Sequence, residues 1–226
     1  MVKNLLNLFF PKVCYACSNL LLDNEKQICT TCRHDLPITN FHFEDNETIK
    51  KVLYGRVNLE LATALLRFEK KGIVQQLLHN LKYRGHETIG KILGEWLGGE
   101  LKTIEAYKNI DGIIPVPLHK RKLRKRGYNQ VEKFGKAIAK ALEVDYIDNV
   151  LLKTTATKTQ VFKKRIARWN NSNEIFTIQN ESLIKGKHIL LVDDIITTGA
   201  TVEACSNMIN KAENVKISVA TMAIAQ

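Results

Sequence analysis

The residue types with the clearest chemistry lie together in one short segment, residues 189–201. The apolar run 189–192 is predicted to be a strand that delivers Asp193 and Asp194 to its carboxyl end, the edge where open α/β sheets bind ligands. The residues that follow lead directly into a predicted helix: Thr197, Thr198, Gly199, Ala200 and Thr201. Free backbone N–H groups at a helix N-terminus bind phosphate, and glycine lets the backbone approach the ligand closely. The segment therefore predicts a phosphate site.

The two carboxylates narrow the kind of ligand that this segment would bind. Acids directly before an anion site are unfavourable unless the ligand also offers hydroxyl groups or a divalent metal ion. A sugar phosphate fits this segment, because its phosphate suits the anion site and its hydroxyl groups suit the two acids. The alternative interpretation is a cluster of helix-capping residues after a strand, which accounts for the threonines but not for the acids.

Four cysteines form a second group with defined chemistry. Cys14, Cys17, Cys29 and Cys32 make two Cys-x2-Cys pairs separated by eleven residues. Each pair can direct two thiolates at one ion, and four thiolates complete the tetrahedral shell of structural Zn²⁺. Two disulfides are the alternative, which is disfavoured because no secretory signal precedes the pairs and cytoplasmic thiols stay reduced. Cys205, alone on a predicted helix, is predicted to be a core residue.

The elements that must position these residues alternate between strands and helices. Apolar runs typical of buried strands follow segments with the apolar spacing of a helix face. The predicted strands are residues 59–68, 110–116, 188–192 and 215–223, and the predicted helices are residues 73–81, 87–105, 129–142 and 199–211. This alternation predicts an α/β fold with a central, mainly parallel sheet.

The chain is predicted to have three parts. A small four-cysteine zinc ribbon covers residues 1–40, and the main core covers residues 106–226. Between them, residues 41–105 are predicted to supply a linker and a hood-like, N-terminal part of the main domain. The polar stretch 37–51 indicates that linker.

The positive charge of the chain is concentrated in two runs. The 34 Lys and Arg exceed the 23 Asp and Glu by 11, while residues 119–130 and 153–168 carry six cations each and no acid, so that the rest sums to −1. Such runs are often solvated faces, but two of them beside one site favour a polyanionic ligand. The cations predicted to bind nucleic acid are Lys122, Arg124, Lys125, Arg126, Lys163 and Lys164.

The composition excludes several classes of protein. With 45% hydrophobic and 25% charged residues, the chain is typical of a globular protein and not of a disordered or fibrous one. The apolar stretch at residues 5–10 is far shorter than the roughly 20 residues of a membrane span. We therefore expect a soluble, cytoplasmic protein without membrane insertion.

The segment VDDIITTGAT, residues 192–201, resembles the phosphoribosyl pyrophosphate motif of type I phosphoribosyltransferases. Three further features resemble the ComF family, which is associated with DNA uptake and natural competence. They are the double Cys-x2-Cys, the block RGYNQ at 126–130 after a Pro-Val-Pro strand end, and the spaced residues Thr157, Gln160, Arg168, Asn171 and Phe176. The block LKYRG at 81–85 also fits, and the resemblance covers nearly the whole chain. Lys163 departs from the family pattern by making the loop more basic.

The resemblance implies a type I phosphoribosyltransferase-like fold and a division of roles around one ligand. Residues 197–201 would hold the 5-phosphate, and Asp193 and Asp194 would bind the ribose hydroxyls. Val116 and Pro117 would belong to the pyrophosphate loop, with Mg²⁺ as a bridging ion. A loop at 154–171 would close over the site and bring Arg165 and Arg168 to the leaving group. Transfer would pass through an oxocarbenium-like sugar, which requires electrostatic stabilisation and no nucleophile.

Two functions are consistent with these features. The first is a phosphoribosyltransferase-like protein that binds phosphoribosyl pyrophosphate with Mg²⁺ and serves DNA uptake together with competence or DNA-processing proteins; its acceptor and its turnover stay open. The second is a non-catalytic accessory protein that binds single-stranded DNA through loops 119–130 and 153–168. In the second function, Tyr128 and Trp169 would stack on bases.

Overall fold

The computed structural model describes residues 11–44, 46–155 and 174–225. These residues form helices and strands that alternate along most of the chain, with single 3-10 turns at Glu105–Asn109 and Glu181–Leu183. In chain order the elements are α1 (Thr30–His34), α2 (Thr48–Val52), β1 (Ala62–Phe68), α3 (Ile73–Tyr83), α4 (Thr88–Leu101), β2 (Gly112–Pro115), α5 (Lys120–Arg126), α6 (Glu132–Leu142), β3 (Asp145–Tyr146), β4 (Leu151–Thr155), β5 (Glu174–Ile178), β6 (His188–Ile196), α7 (Ala200–Ile209) and β7 (Lys216–Ala225).

The centre of the protein is a five-stranded sheet in the order β1-β7-β6-β2-β3. All four strand pairings in it are parallel. Strand β6 is a continuous apolar run at its start because its successive side chains pack into different cores: Leu190 and Val192 into one, Ile189 and Leu191 into the other. The predicted α/β fold with a mainly parallel central sheet is confirmed.

Helices cover both faces of this sheet. Helices α3, α4 and α6 contribute to one core, and helices α2 and α7 contribute to the other. Helices α4 and α6 approach so closely that a Cβ at Gly94 would lie 2.4 Å from the Phe134 carbonyl oxygen, and one at Gly98 would lie 2.8 Å from Ala141 Cβ. Glycine at these two positions therefore sets the distance between the helices that form this layer.

The cysteine-bearing segment packs on the main body through shared core residues. Cys14, Cys32 and Leu36 are buried in the same cluster as the apolar faces of α3 and α4. The Asn80 amide donates to the Tyr15 carbonyl oxygen over 2.7 Å, and the Tyr15 ring stacks on His86 with centroids 4.1 Å apart. The segment is therefore attached to the C-terminal end of helix α3.

The stretch 37–51, predicted to be a linker, is packed against the sheet. The Thr39 N–H donates to the Leu65 carbonyl oxygen over 3.0 Å, and Phe41 and Ile49 are buried. His42 is buried as well, and its ring contacts Thr63 and Glu100 at 3.0 Å each. Polar composition here reflects side chains that make specific hydrogen bonds. The three-part division of the chain stays a prediction.

The two basic runs, residues 119–130 and 153–168, differ in how much of each the structure describes. The basic run after β2, predicted as a loop or a loop–helix junction, forms helix α5, which His119 caps by accepting from the Arg121 N–H over 3.1 Å and Gly127 ends at a φ of +87°. Strands β4 and β5 pair antiparallel and flank the second basic run. Most of that run lies outside the described residues, including four predicted site residues and the second predicted stacking residue: Lys163, Lys164, Arg165, Arg168 and Trp169.

Among the described residues, none of the helices has the length and apolar character to cross a membrane.

Candidate functional site

A cavity of about 620 Å³ opens at the carboxyl ends of β2 and β6. It unites residues from predicted groups that are far apart in the chain. The predicted site residues in its lining are Val116, Pro117, Lys122, Lys125, Arg126, Asp193, Asp194, Thr197 and Thr201. Thr198, Gly199 and Ala200 line a small adjoining pocket of about 30 Å³. Arg124 lies on α5 and is exposed, outside the lining.

The two aspartates form a buried pair on the floor of the cavity. The Asp194 N–H donates to Asp193 Oδ1 over 2.8 Å, and Lys82 Nζ lies 3.0 Å from Asp194 Oδ1. Burial, reinforced by the negative charge of Asp194, raises the pKa of Asp193 to about 8. This shift favours the protonated form of the Asp193 carboxyl, which can donate a hydrogen bond as well as accept one.

The phosphate segment is a turn that leads from β6 into α7. Gly199 has a φ of +75°, in the left-handed region, and α7 begins at the next residue. The Arg56 guanidinium supports the turn by donating to the Thr198 carbonyl oxygen over 2.8 Å and pairing with Glu203 at 2.9 Å. With the backbone held from outside, the first N–H groups of α7 are arranged as an anion-binding end.

Replacement of Gly199 by alanine is expected to lower the free energy of unfolding by about 1–2 kcal/mol, because an L-residue is strained at positive φ. The new Cβ would also lie 2.6 Å from Leu53 Cδ2, which would have to move. Urea unfolding measures the change. The control is Gly99→Ala at an exposed position of helix α4, where nothing lies within 4 Å of the added Cβ and a gain of up to about 1 kcal/mol is expected. Equal effects at both positions would contradict the strained turn.

The opposite wall of the cavity is formed by the end of β2 and by α5. The Asn129 amide donates to the Val116 carbonyl oxygen over 3.0 Å, which ties the predicted pyrophosphate loop to the segment just before α6. The Tyr128 hydroxyl donates to the Leu81 carbonyl oxygen, and burial raises the pKa of that hydroxyl. Tyr128 lines the cavity but is half-buried and fixed to the body of the protein by this contact, and its role in base stacking stays a prediction.

Sequence reasoning did not assign roles to four residues that shape the site. Lys82 and Tyr83 line the cavity, and the only signal for them was the LKYRG block at 81–85. Lys153 also lines the cavity, although its sequence signal was only membership of a basic run. Arg56 had no signal, because its partner Thr198 is 142 positions away along the chain.

The four predicted metal ligands form a cluster away from the cavity. Their Sγ atoms all lie within 4.8 Å of one another, and Cys17 Sγ lies 3.8 Å from Cys29 Sγ. Tetrahedral Zn–S bonds of about 2.3 Å place sulfur atoms about 3.8 Å apart, so the cluster fits such an ion. The Cys29 N–H donates to Cys14 Sγ over 3.3 Å, and the Cys32 N–H donates to Cys29 Sγ over 3.4 Å. These bonds stabilise thiolates.

Cys205 is buried in the core, as predicted.

The part of the chain that carries α6 to β7 is similar to a known domain. Residues 133–225 match the family profile described as the phosphoribosyl transferase domain. This part of the chain is therefore similar to that domain. The matched residues include the aspartate pair and the phosphate turn of the cavity, and this match agrees with the predicted type I phosphoribosyltransferase-like fold, as does the parallel sheet.

Relatives with curated names resemble a larger part of the chain. The chain is 26% identical over 202 residues to the DNA utilization protein YhgH of Shigella flexneri, which covers 87% of this chain and 83% of the relative. It is 29% identical over 131 residues to the competence protein ComFC of Streptococcus pneumoniae, covering 58% of this chain and 54% of that protein. An adenine phosphoribosyl transferase from Trypanosoma brucei aligns with a TM-score of 0.38 and 18% identity, over 59% of this chain and 51% of the other. The relatives and the domain confirm the resemblance to the ComF family.

Proposed function

We propose that this protein binds phosphoribosyl pyrophosphate with Mg²⁺ and serves DNA uptake. Relatives of the chain are named for DNA utilization and for competence. The observation that carries the proposal is the single cavity at the carboxyl ends of β2 and β6. It combines a buried carboxylate pair, a phosphate turn and cations from α5. A sugar phosphate with a pyrophosphate group needs each of these three features.

The ligand is proposed to extend across the cavity. Residues 197–201 would bind the 5-phosphate through backbone N–H groups and hydroxyls, and Asp193 and Asp194 would bind the ribose hydroxyls. The pyrophosphate would lie toward Val116 and Pro117, near the cations of α5. Mg²⁺ would neutralise the pyrophosphate oxygens. Arg165 and Arg168 are proposed to stabilise the leaving group electrostatically.

The four-cysteine cluster is proposed to hold structural zinc. Four thiolates leave no open position for chemistry, and the cluster is packed on the main body through the Tyr15 contacts to Asn80 and His86. The metal would therefore support the fold and take no part in a reaction at the cavity.

Phosphoribosyl pyrophosphate with Mg²⁺ is expected to raise the melting temperature by about 5 °C or more at about 100 times its Kd, since ligand binding to the folded state stabilises it. The double variant Asp193→Asn with Asp194→Asn is expected to lose this shift. The matched control exchanges two exposed acids outside the cavity lining, Asp23→Asn with Asp148→Asn, and is expected to keep it. An unchanged melting curve for the wild-type protein would refute the proposal.

A second candidate function is binding of single-stranded DNA, favoured by the six cations of helix α5. Exchange of Lys122, Arg124 and Arg126 for alanine is expected to weaken binding and to reduce the slope of log K against log salt by about 2, at about 0.7 per lost phosphate contact. Fluorescence anisotropy at several salt concentrations measures both. The control removes three exposed cations elsewhere, with Lys51, Lys70 and Lys211 changed to alanine. Equal binding by the two triple variants would exclude α5 as the DNA contact.

A further inference from the structure

Tyr83 is a large aromatic residue that the fold leaves exposed at a cavity. It is 70% exposed, and it belongs to the lining of the cavity that contains the aspartate pair. The other two tyrosines near this end of α3 are packed: Tyr128 bonds to the Leu81 carbonyl and Tyr15 stacks on His86. Tyr128 also lines this cavity but is half-buried, so Tyr83 differs from these two tyrosines in leaving most of its ring exposed there.

The backbone that carries Tyr83 is fixed by three successive contacts. The Asn80 amide donates to the Tyr15 carbonyl over 2.7 Å, and the Leu81 carbonyl accepts from Tyr128. Lys82 forms its ion pair with Asp194 at 3.0 Å. Because the three preceding residues are already held, a ligand that contacts the Tyr83 ring would have little chain to order, and the entropic cost of binding would be low.

The surroundings of the ring are cationic. The guanidinium carbon of Arg126 lies 5.8 Å from the centroid of the Tyr83 ring, and Lys122 and Lys125 line the same cavity. An aromatic platform beside a row of cations is the combination that binds single-stranded nucleic acid, since the ring stacks on a base and the cations neutralise the backbone. The ring also contacts His79, with ring centroids 5.1 Å apart, but it stays largely exposed, and a free phosphorylated sugar has no base to stack on that exposed area.

We propose that Tyr83 stacks on a base of a single-stranded nucleic acid whose phosphates lie along helix α5. This inference rests on the proposed role of the cavity as a ligand site, and it deepens the second candidate function by naming the residue that contacts a base. It does not depend on phosphoribosyl pyrophosphate binding. Tyr83 thereby takes the role that the sequence had suggested for Tyr128.

The test compares a short labelled oligonucleotide with the same strand carrying abasic sites. Tyr83→Ala is expected to bind the intact strand about 10-fold more weakly, whereas Tyr83→Trp is expected to keep its affinity, because any aromatic face can stack. Wild-type protein is expected to bind the abasic strand as weakly as Tyr83→Ala binds the intact one. The control is Tyr54→Ala, which removes an 88% exposed ring outside the cavity lining and is expected to bind like wild type.

Three outcomes would overturn the proposal. The first is equal affinity of wild type and Tyr83→Ala for the intact strand. The second is an equal loss for intact and abasic strands in Tyr83→Ala, which would show that the ring acts on something other than a base. The third is complete competition by a free nucleoside at the strand's own concentration, which would assign the subsite to a small molecule. The melting shift with phosphoribosyl pyrophosphate, measured in Tyr83→Ala, reports on the proposed function separately.

Discussion

Asp193→Asn is expected to stabilise the ligand-free protein at pH 8 by about 2–4 kcal/mol while it weakens binding of phosphoribosyl pyrophosphate. The carboxyl is buried beside Asp194, and both burial and that negative charge disfavour its ionised form. Asparagine has nearly the same shape and carries an oxygen that can accept the Asp194 N–H, but it has no charge to bury. Such a gain in stability, together with weaker ligand binding, would show that Asp193 binds the ligand but destabilises the folded protein.

The raised pKa of Asp193 determines whether the stability difference between Asp193→Asn and wild type grows or shrinks with pH. The pKa of Asp193 rises from an ordinary 3.8 to about 8 in the folded protein, so the folded state binds the proton more tightly. Its stabilising contribution is complete below pH 3.8 and is lost as the pH rises through 8. We therefore expect the variant to gain stability over wild type progressively between pH 4 and pH 8.

Urea unfolding at several pH values measures the difference between the two proteins. Groups such as His42 and His188, whose pKa values are lowered by burial, titrate in both proteins and cancel in that difference. Asp148→Asn, which removes an exposed acid, serves as the control and is expected to follow wild type. A constant difference between Asp193→Asn and wild type across this range would contradict the raised pKa.

Loss of the metal from the four-cysteine cluster is expected to lower the melting temperature on the order of 10 °C. Cys14 and Cys32 are buried in the core that also contains the apolar faces of α3 and α4. Without an ion, the buried thiol groups of Cys14 and Cys32 would have to pack there without a metal to hold them. The disturbance would reach the end of α3, because Asn80 bonds to the Tyr15 carbonyl. Cys32→Ser is expected to reproduce the effect of a chelator.

Metal analysis and thermal unfolding together check this prediction. Wild type is expected to contain one zinc ion per chain, and Cys32→Ser is expected to contain none. Cys205→Ala removes a buried cysteine outside the cluster and should keep the full zinc content, even if its packing defect lowers stability. A folded, metal-free wild type that melts at the same temperature with and without a chelator would refute the zinc assignment.

The sequence predicted the parts of this site that are local in the chain. The phosphate turn at 197–201 and the two Cys-x2-Cys pairs were recognisable because each is a short run whose residue types dictate its geometry. Alternating strand and helix patterns likewise predicted the parallel sheet, since the periodicity of apolar residues follows directly from which faces are buried. Helix α5 was missed because a run of cations lacks an apolar face to reveal its period.

The residues that complete the site from distant parts of the chain become visible only in the folded protein. Lys82 meets Asp194, Arg56 holds the Thr198 carbonyl and Arg126 lies by the Tyr83 ring because the strand order β1-β7-β6-β2-β3 brings their elements together. That order does not follow from apolar periodicity, which specifies the buried face of each element and not its neighbour. The residue types of these short segments thus predicted the ligand chemistry of the phosphate turn and of the cysteines. The choice of Tyr83 over Tyr128 as the exposed ring depends on packing between helices that lie far apart in the chain.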